Sequence, residues 1–159
     1  MILIFEGTEK SGKTTLAKAI SSKLRIPYYK NSYQKFGLKE VYFILWDLLN
    51  QTCLDLIVDR DYPSWYVYSK LRGEEIDRSA FNFIDTFAQS LNTKIIVCYK
   101  TSYEEDYSDI VPIELNPKIL ELYKEFSKVT KCETLFLNTS VGSFDYHIKE
   151  ILRFLRRIK

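Results

Sequence analysis

Apolar and polar positions fall into blocks along this chain. Met1–Glu6 (MILIFE) is a short apolar run stopped by Gly7, which predicts a buried strand. Lys13–Leu24 then carries Leu16, Ala17, Ile20 and Leu24 at helical spacing. Pro27–Lys30 is a short weak strand, and Leu38–Asn50 reads as a helix rich in aromatics. Leu54–Asp59 is the next apolar strand. Helices over Ser64–Leu71 and Ser79–Leu91 flank a turn at Gly73, the second with a stripe of Ala80, Ile84, Phe87, Ala88 and Leu91. Lys94–Tyr99 is another strand. Thr101–Pro112 has no period and reads as an acidic loop holding Glu104, Glu105, Asp106 and Asp109. Asn116-Pro117 predicts a helix start, with Asn as the cap, running to about Lys131. Glu133–Asn138 is the last strand. Ser143 caps a final helix with Ile148, Ile151, Leu152 and Leu155 inward.

Strands that are continuously apolar are buried on both faces, and here they alternate with helices. The pattern predicts an α/β fold, a five-stranded parallel sheet flanked by helices on both faces. No repeat or linker divides the 159 residues, which suit one domain over 1–159.

Composition changes this picture little. Apolar residues make up 46% of the chain, enough for a sizeable core, and the formal net charge is +2. That balance gives no ground for nucleic acid or an anionic membrane as the main partner. Cys53, Cys98 and Cys132 are far apart and in no C-x-x-C spacing, so reduced thiols are expected rather than a disulfide frame or a zinc site. The first apolar run is too short for a signal peptide or membrane span, and the expectation is a cytoplasmic protein. His147 has no triad partners in view. The basic tail RFLRRIK is explained by a solvated helix C-terminus.

The chemistry lies in two stretches. GTEKSGKT, Gly7 to Thr14, fits G-x-x-x-x-G-K-[ST] between a predicted strand and a predicted helix, the context that gives this pattern its meaning. Backbone N–H groups of such a loop cradle phosphates at a helix N-terminus. The expected phosphate-binding set is Gly7, Thr8, Glu9, Lys10, Ser11, Gly12, Lys13, Thr14 and Thr15. Lys13 would reach the β- and γ-phosphates of ATP, and the Thr14 hydroxyl would ligate Mg²⁺. The second stretch is VDRDYPSWYVYS, Val58 to Ser69, at the carboxyl end of a strand, where such sheets place ligands. Asp59 would face Mg²⁺ or act as a base, and Arg60 offers a planar fork for a phosphate.

IFEGTEKSGKTT resembles the opening of thymidylate kinases, F-E-G-x-[DE]-x-x-G-K-T-T. The second stretch resembles their D-R-[YF]-x-x-S-x-x-A-[YF] at Asp59, Arg60, Ser64 and Tyr68; Asp61 stands where that motif has an aromatic, and Val67 where it has Ala. Deoxynucleoside kinases have a related E-R-S at this place. The resemblance implies a P-loop kinase fold, ATP and Mg²⁺, and transfer to a deoxynucleoside monophosphate, most directly dTMP, with a nucleoside acceptor or weakly active nucleotide binding as the alternatives. It places Glu9 near the acceptor sugar's 3′-hydroxyl and Phe36 or Tyr68 against the base, and it implies a homodimer. Those relatives carry arginines in a lid; here the short lid at about 101–116 has no Lys or Arg. Lys10, just after the acidic loop residue, either supplies part of that charge or is an exposed loop lysine.

Overall fold

The computed structural model describes residues 1–31, 55–101 and 112–156. The predicted helix Leu38–Asn50, Phe36, Cys53, the acidic stretch from 102 to 111 and the last three residues of the tail lie outside these.

Five strands form one sheet: β1 (Ile2–Gly7), β2 (Tyr28–Lys30), β3 (Leu56–Asp59), β4 (Lys94–Tyr99) and β5 (Glu133–Asn138). The order is β2-β3-β1-β4-β5, and every pairing is parallel. In register, Phe5 lies opposite Asp59 on one side of β1 and Ile96 on the other. The predicted α/β parallel sheet is therefore the observed one, with the central strand the one that leads into the Gly7–Thr14 loop.

The described helices are α1 (Lys13–Leu24), α2 (Tyr62–Leu71), α3 (Arg78–Ser90), α4 (Asn116–Val129) and α5 (Phe144–Leu155). Side chains on one face of a strand repeat every second residue. Leu3 and Phe5 of β1 accordingly pack with α1 and α5, through Leu16, Ala17, Ile20, Ile148 and Ile151. Ile2 and Ile4 point to the opposite face, which α2, α3 and α4 cover with Tyr62, Trp65, Phe81, Tyr123 and Phe126. Neighbouring strands β1 and β3 thus lead into helices on opposite faces. That divergence opens a crevice at their carboxyl ends.

Three boundaries differ from the sequence expectation for local reasons. α2 starts at Tyr62 rather than Ser64, because Pro63 sits in the first turn, where its missing N–H costs nothing. Asp77 accepts the N–H groups of Ser79 and Ala80 at 2.9 and 3.1 Å, which moves the start of α3 to Arg78. Asn116 is not the cap of α4. A 3₁₀ turn over Ile113–Leu115 leads into the helix, and the Asn116 side chain is used elsewhere. Ser143 does cap α5, accepting the Tyr146 N–H at 3.2 Å. His147 is buried and its Nε2 meets the Val141 carbonyl at 2.8 Å, a structural contact at the start of that helix. Cys98 and Cys132 are buried free thiols, and burial pushes Cys98 up to about 12. No helix among the described residues is long and apolar enough to cross a membrane.

Candidate active site

The loop after β1 takes left-handed backbone at Lys10 (φ 54°) and Gly12 (φ 76°) before α1 begins at Lys13, the kind of turn in which successive N–H groups can converge on an anion. Gly12 has open space where a Cβ would be. Gly7 has none: a Cβ there would lie 1.9 Å from the Cys98 carbonyl oxygen. The first glycine of the motif therefore serves the approach of β1 to β4, and the second serves the turn. Inside the loop the Ser11 hydroxyl donates to the Thr8 carbonyl at 2.8 Å. From β5's end, Thr139 donates its hydroxyl to the Ser11 carbonyl at 2.8 Å. These contacts hold the loop's shape without using its N–H groups.

Lys13 is buried, and its Nζ donates to the Thr8 carbonyl at 3.3 Å and lies 3.9 Å from Glu9 Oε2. Burial, and then the nearby Arg60 charge, pull its pKa down against the opposing carboxylates of Glu9, Asp59 and Glu6. A cation held so dry gains when an anion arrives beside it.

Alternation along β3 decides where its end residues go. Asp59 points to the α1 side, where Thr14 donates its hydroxyl to Asp59 Oδ2 at 2.6 Å and Tyr28 of β2 donates to the same oxygen at 2.9 Å. Arg60 points to the opposite side with its backbone at φ 70°, while its N–H continues the sheet to the Phe5 carbonyl at 2.9 Å. The Arg60 guanidinium pairs with Glu9 Oε1 through Nη2; its Nη1 donates to Tyr68 Oη at 3.1 Å and Ser64 Oγ at 3.4 Å. Tyr68 Oη donates to Glu9 Oε1 at 3.2 Å. The structure thus brings Glu9, Lys13, Thr14, Asp59, Arg60, Ser64 and Tyr68 together at the carboxyl ends of β1 and β3. Gly7, Thr8, Lys10, Ser11, Gly12 and Thr15 belong to the loop or its helix start. Phe36 lies outside the described residues.

The donor set suits a nucleoside triphosphate with its metal. Thr14 and Asp59 present a hydroxyl and a carboxylate at hydrogen-bond distance, a hard-oxygen pair of the kind that binds Mg²⁺ alongside phosphates. Lys13 and the N–H groups at the start of α1 would supply the anion side.

Sequence reasoning missed the support beneath Arg60. Glu6, the third residue of β1's Ile2–Ile4–Glu6 face, is completely buried. Its Oε1 accepts the backbone N–H groups of Asp61 and Ser64 at 2.8 and 3.2 Å. Its Oε2 accepts the hydroxyls of Ser64 at 2.6 Å and Tyr123 at 2.8 Å. Burial raises its pKa, while the Arg60 charge and these donors oppose that rise. Asp61 is equally buried. One oxygen caps α2, accepting the Tyr62 N–H at 2.6 Å, and Oδ2 has no partner among the described residues. Burial, with Glu6 beside it, pushes Asp61 up to about 7. The visible signal was an acidic residue on the inward face of an otherwise apolar strand. Asn116 was misassigned as a cap; its Oδ1 accepts the Glu9 N–H at 3.1 Å.

No protein-family model matches the chain, and no curated protein does. Solved structures do. The chain is similar to the YorR protein of Bacillus subtilis, in complex with phosphorylated GDP, at 21% identity and a TM-score of 0.74, over 98% of this chain and 95% of that one. It is similar to a deoxyadenosine kinase from M. mycoides with bound dCTP at 18% identity and a TM-score of 0.59, over 99% and 100%. A thymidylate kinase from Ehrlichia chaffeensis aligns at 15% identity and a TM-score of 0.60, over 98% of both chains. The fold is that of the P-loop nucleotide and nucleoside kinases.

Proposed function

We propose that the protein is an ATP- and Mg²⁺-dependent kinase that passes the γ-phosphoryl group to a deoxynucleoside monophosphate, with dTMP the acceptor its motifs imply. The observation that carries this reading is the meeting of the two stretches: Thr14 and Asp59 are 2.6 Å apart, with Arg60 buried next to them against Glu9. A donor loop and an anion-binding arginine share one crevice. Thr14 and Asp59 would hold Mg²⁺, which, bound with ATP, neutralises charge on the phosphates.

The chain's own residues divide the remaining work. Lys13 and the loop N–H groups bind the β- and γ-phosphates. Arg60 binds the acceptor phosphate through a bidentate fork, and Glu9 keeps that fork compensated until the acceptor arrives. In the transfer, an acceptor phosphate oxygen forms the new bond to the γ-phosphorus. The bond to the β,γ-bridging oxygen breaks and ADP leaves with its electron pair. A phosphate monoester is largely dianionic at neutral pH, its second pKa being about 6, so this oxygen needs no base. That matters for Asp59, whose Oδ2 already takes two hydroxyl donors. Its placement suits holding the metal better than taking a proton from a sugar hydroxyl.

The likeness to a deoxyadenosine kinase makes nucleoside phosphorylation the competing reading. ATP consumption with each nucleoside and each monophosphate in turn separates them, dTMP against thymidine being the central pair. Turnover with dTMP that collapses in Arg60→Ala, with ATP binding retained, is the expected result. Efficient phosphorylation of thymidine alone would overturn it in favour of the nucleoside kinase. Tight MgATP binding with no acceptor would favour a nucleotide-binding protein of kinase fold.

A further inference from the structure

The geometry points to Asn116 as a direct ligand of the γ-phosphoryl group, a role that rests on the kinase reading above. Asn116 opens α4 and is 1% exposed. Its Oδ1 accepts the Glu9 N–H, and an N–H donor can be met only by the amide oxygen, which fixes the orientation of the group. The Nδ2 is then a buried donor, and it has no partner among the described residues. Buried amide donors are almost always paired, and an exception calls for a reason: an ordered water, an ion, a ligand or a mechanistic role.

The place supplies the reason. Glu9 is where the two halves of the crevice touch: its carboxylate meets Arg60 and Tyr68 through one oxygen and lies 3.9 Å from Lys13 Nζ through the other. The Asn116 amide is fastened to the backbone of that residue, between the groups that the kinase reading assigns to donor and acceptor. α4 is 14 residues long and has no side-chain cap at its N-terminus, so the positive end of its dipole adds to the field there. The connection from Thr101 to Leu115 contains no Lys or Arg. With no cation in that connection, what the start of α4 offers to the charge that grows as the phosphoryl group transfers is a neutral amide donor at a helix N-terminus.

The test compares MgATP with MgADP, which differ by the γ-phosphate alone. Affinities of both are measured by calorimetry for the wild type, Asn116→Ala and Asn116→Asp, together with thermal melts. Asn116→Asp keeps an oxygen for the Glu9 N–H but buries a carboxylate, which costs stability, so the melts establish that it is folded before affinities are compared. It removes the donor and sets a negative charge against the γ-phosphate. The expected result is MgATP weakened about tenfold in Asn116→Ala and further in Asn116→Asp, with MgADP within about twofold in both. Turnover with the accepted acceptor should fall about 10²-fold. A merely structural Asn116 would lower ATP and ADP affinity together or shift only the melts, and either result overturns the proposal while the kinase reading stands. A wild type that binds neither nucleotide overturns the donor site itself, and this role with it.

Discussion

The two faces of the sheet are built from different materials. On the α1–α5 face the core is mainly aliphatic: Leu3, Leu16, Ile20, Ile57, Ile96 and Ile151 close over the helix that carries the phosphate loop. On the α2–α3–α4 face it is aromatic, with Tyr62, Phe81 and Phe126 in edge and tilted contacts at centroid distances of 5.7 to 6.4 Å. That second face also buries three carboxylates, Glu6, Asp61 and Asp85. On the proposed function, the difference follows from how each face would meet its ligand. A phosphate cradle made of backbone N–H groups needs only strands and a helix packed closely enough to hold its turn. An acceptor arm made of the Arg60 side chain needs polar anchors under it, and each anchor must find hydrogen-bond partners out of water. Tyrosine supplies both, a ring for the core and a hydroxyl for the acid: Tyr123 to Glu6, Tyr62 to Asp85 at 2.9 Å, Tyr68 to Glu9.

The comparison breaks most completely at the strand the faces share. Gly7→Ala would drive a Cβ to 1.9 Å from the Cys98 carbonyl, with φ at +138°, and neither backbone can move without opening the sheet at its centre. The expected loss is more than about 4 kcal/mol, in the range seen only for severe core damage. The chain should be insoluble or without a cooperative melt. A soluble variant with a wild-type melting temperature would show that β1 and β4 can separate here. Gly12→Ala differs, since it meets no atoms; it strains the turn and should impair nucleotide binding more than folding.

Next in size is the anchor of the aromatic face. Glu6→Ala leaves two N–H groups and the hydroxyls of Ser64 and Tyr123 facing an empty, dry space, and it also takes a countercharge from Arg60. Losing one partner of a buried, hydrogen-bonded charge costs about 3–5 kcal/mol. Glu6→Gln retains the shape and one acceptor oxygen and should lose less than half of that. Chemical denaturation checks the pair. Equal, small losses in both variants would mean that packing, not the carboxylate, holds α2 to β1. In the folded Glu6→Gln protein the acceptor KM should rise while ATP affinity holds, because only Arg60 stands on this anchor.

Asp61 gives the aromatic face a pH dependence. Its folded pKa is pushed up to about 7, against about 3.9 for an ordinary Asp in the unfolded chain. Between these values the folded state holds the proton and the unfolded state has lost it, so stability falls as pH rises through that window and levels off above it. The contribution is at most about 4 kcal/mol, from three pKa units at 1.36 kcal/mol each. Asp61→Asn keeps an oxygen for the Tyr62 N–H and cannot ionise. Its melting temperature should fall less than the wild type's between pH 5 and pH 8. Parallel pH profiles for the two proteins would show that Asp61 does not titrate in this range.

What was legible in the sequence follows the same division. Strands, helix α1 and the phosphate loop depend on local pattern: an apolar run, a glycine at a fixed offset, a helical stripe. Lys13–Leu24, Lys94–Tyr99 and Glu133–Asn138 were read to the residue. The pairing of Asp59 with Arg60 was visible as a motif at a strand end. The divergence of these two residues to opposite sides was not used, although strand alternation dictates it. Least legible were contacts between residues distant in the chain. Glu6 meets Tyr123 117 positions away, and Glu9 meets Asn116 107 positions away. Asn116 misled because Asn before Pro is an ordinary helix start, and only the third dimension shows its amide turned to the phosphate loop.

The smallest effect should come from Tyr28, and it tests whether the aliphatic side's part of the site relies on any side chain beyond Thr14 and Asp59. The Tyr28 hydroxyl donates to Asp59 Oδ2 from β2, an edge strand, and burial together with Asp59 raises its pKa, so it remains a donor at neutral pH. Partners of metal-facing carboxylates, when removed, commonly cost about 10–100-fold in metal affinity. Tyr28 is only partly buried, however, and water can take the place of its hydroxyl in Tyr28→Phe. The Mg²⁺ concentration for half-maximal nucleotide binding should therefore rise by less than about tenfold, short of the usual second-partner loss. Binding of ATP without metal should be unchanged. Titrating Mg²⁺, or Mn²⁺ by electron paramagnetic resonance, against both proteins measures this directly. No shift would mean that Thr14 and the end of β3 orient Asp59 unaided. A shift well above tenfold would mean that a phenol on an edge strand is an integral support of the metal-facing carboxylate, and that the donor half of the crevice, like the acceptor half, is held by tyrosine.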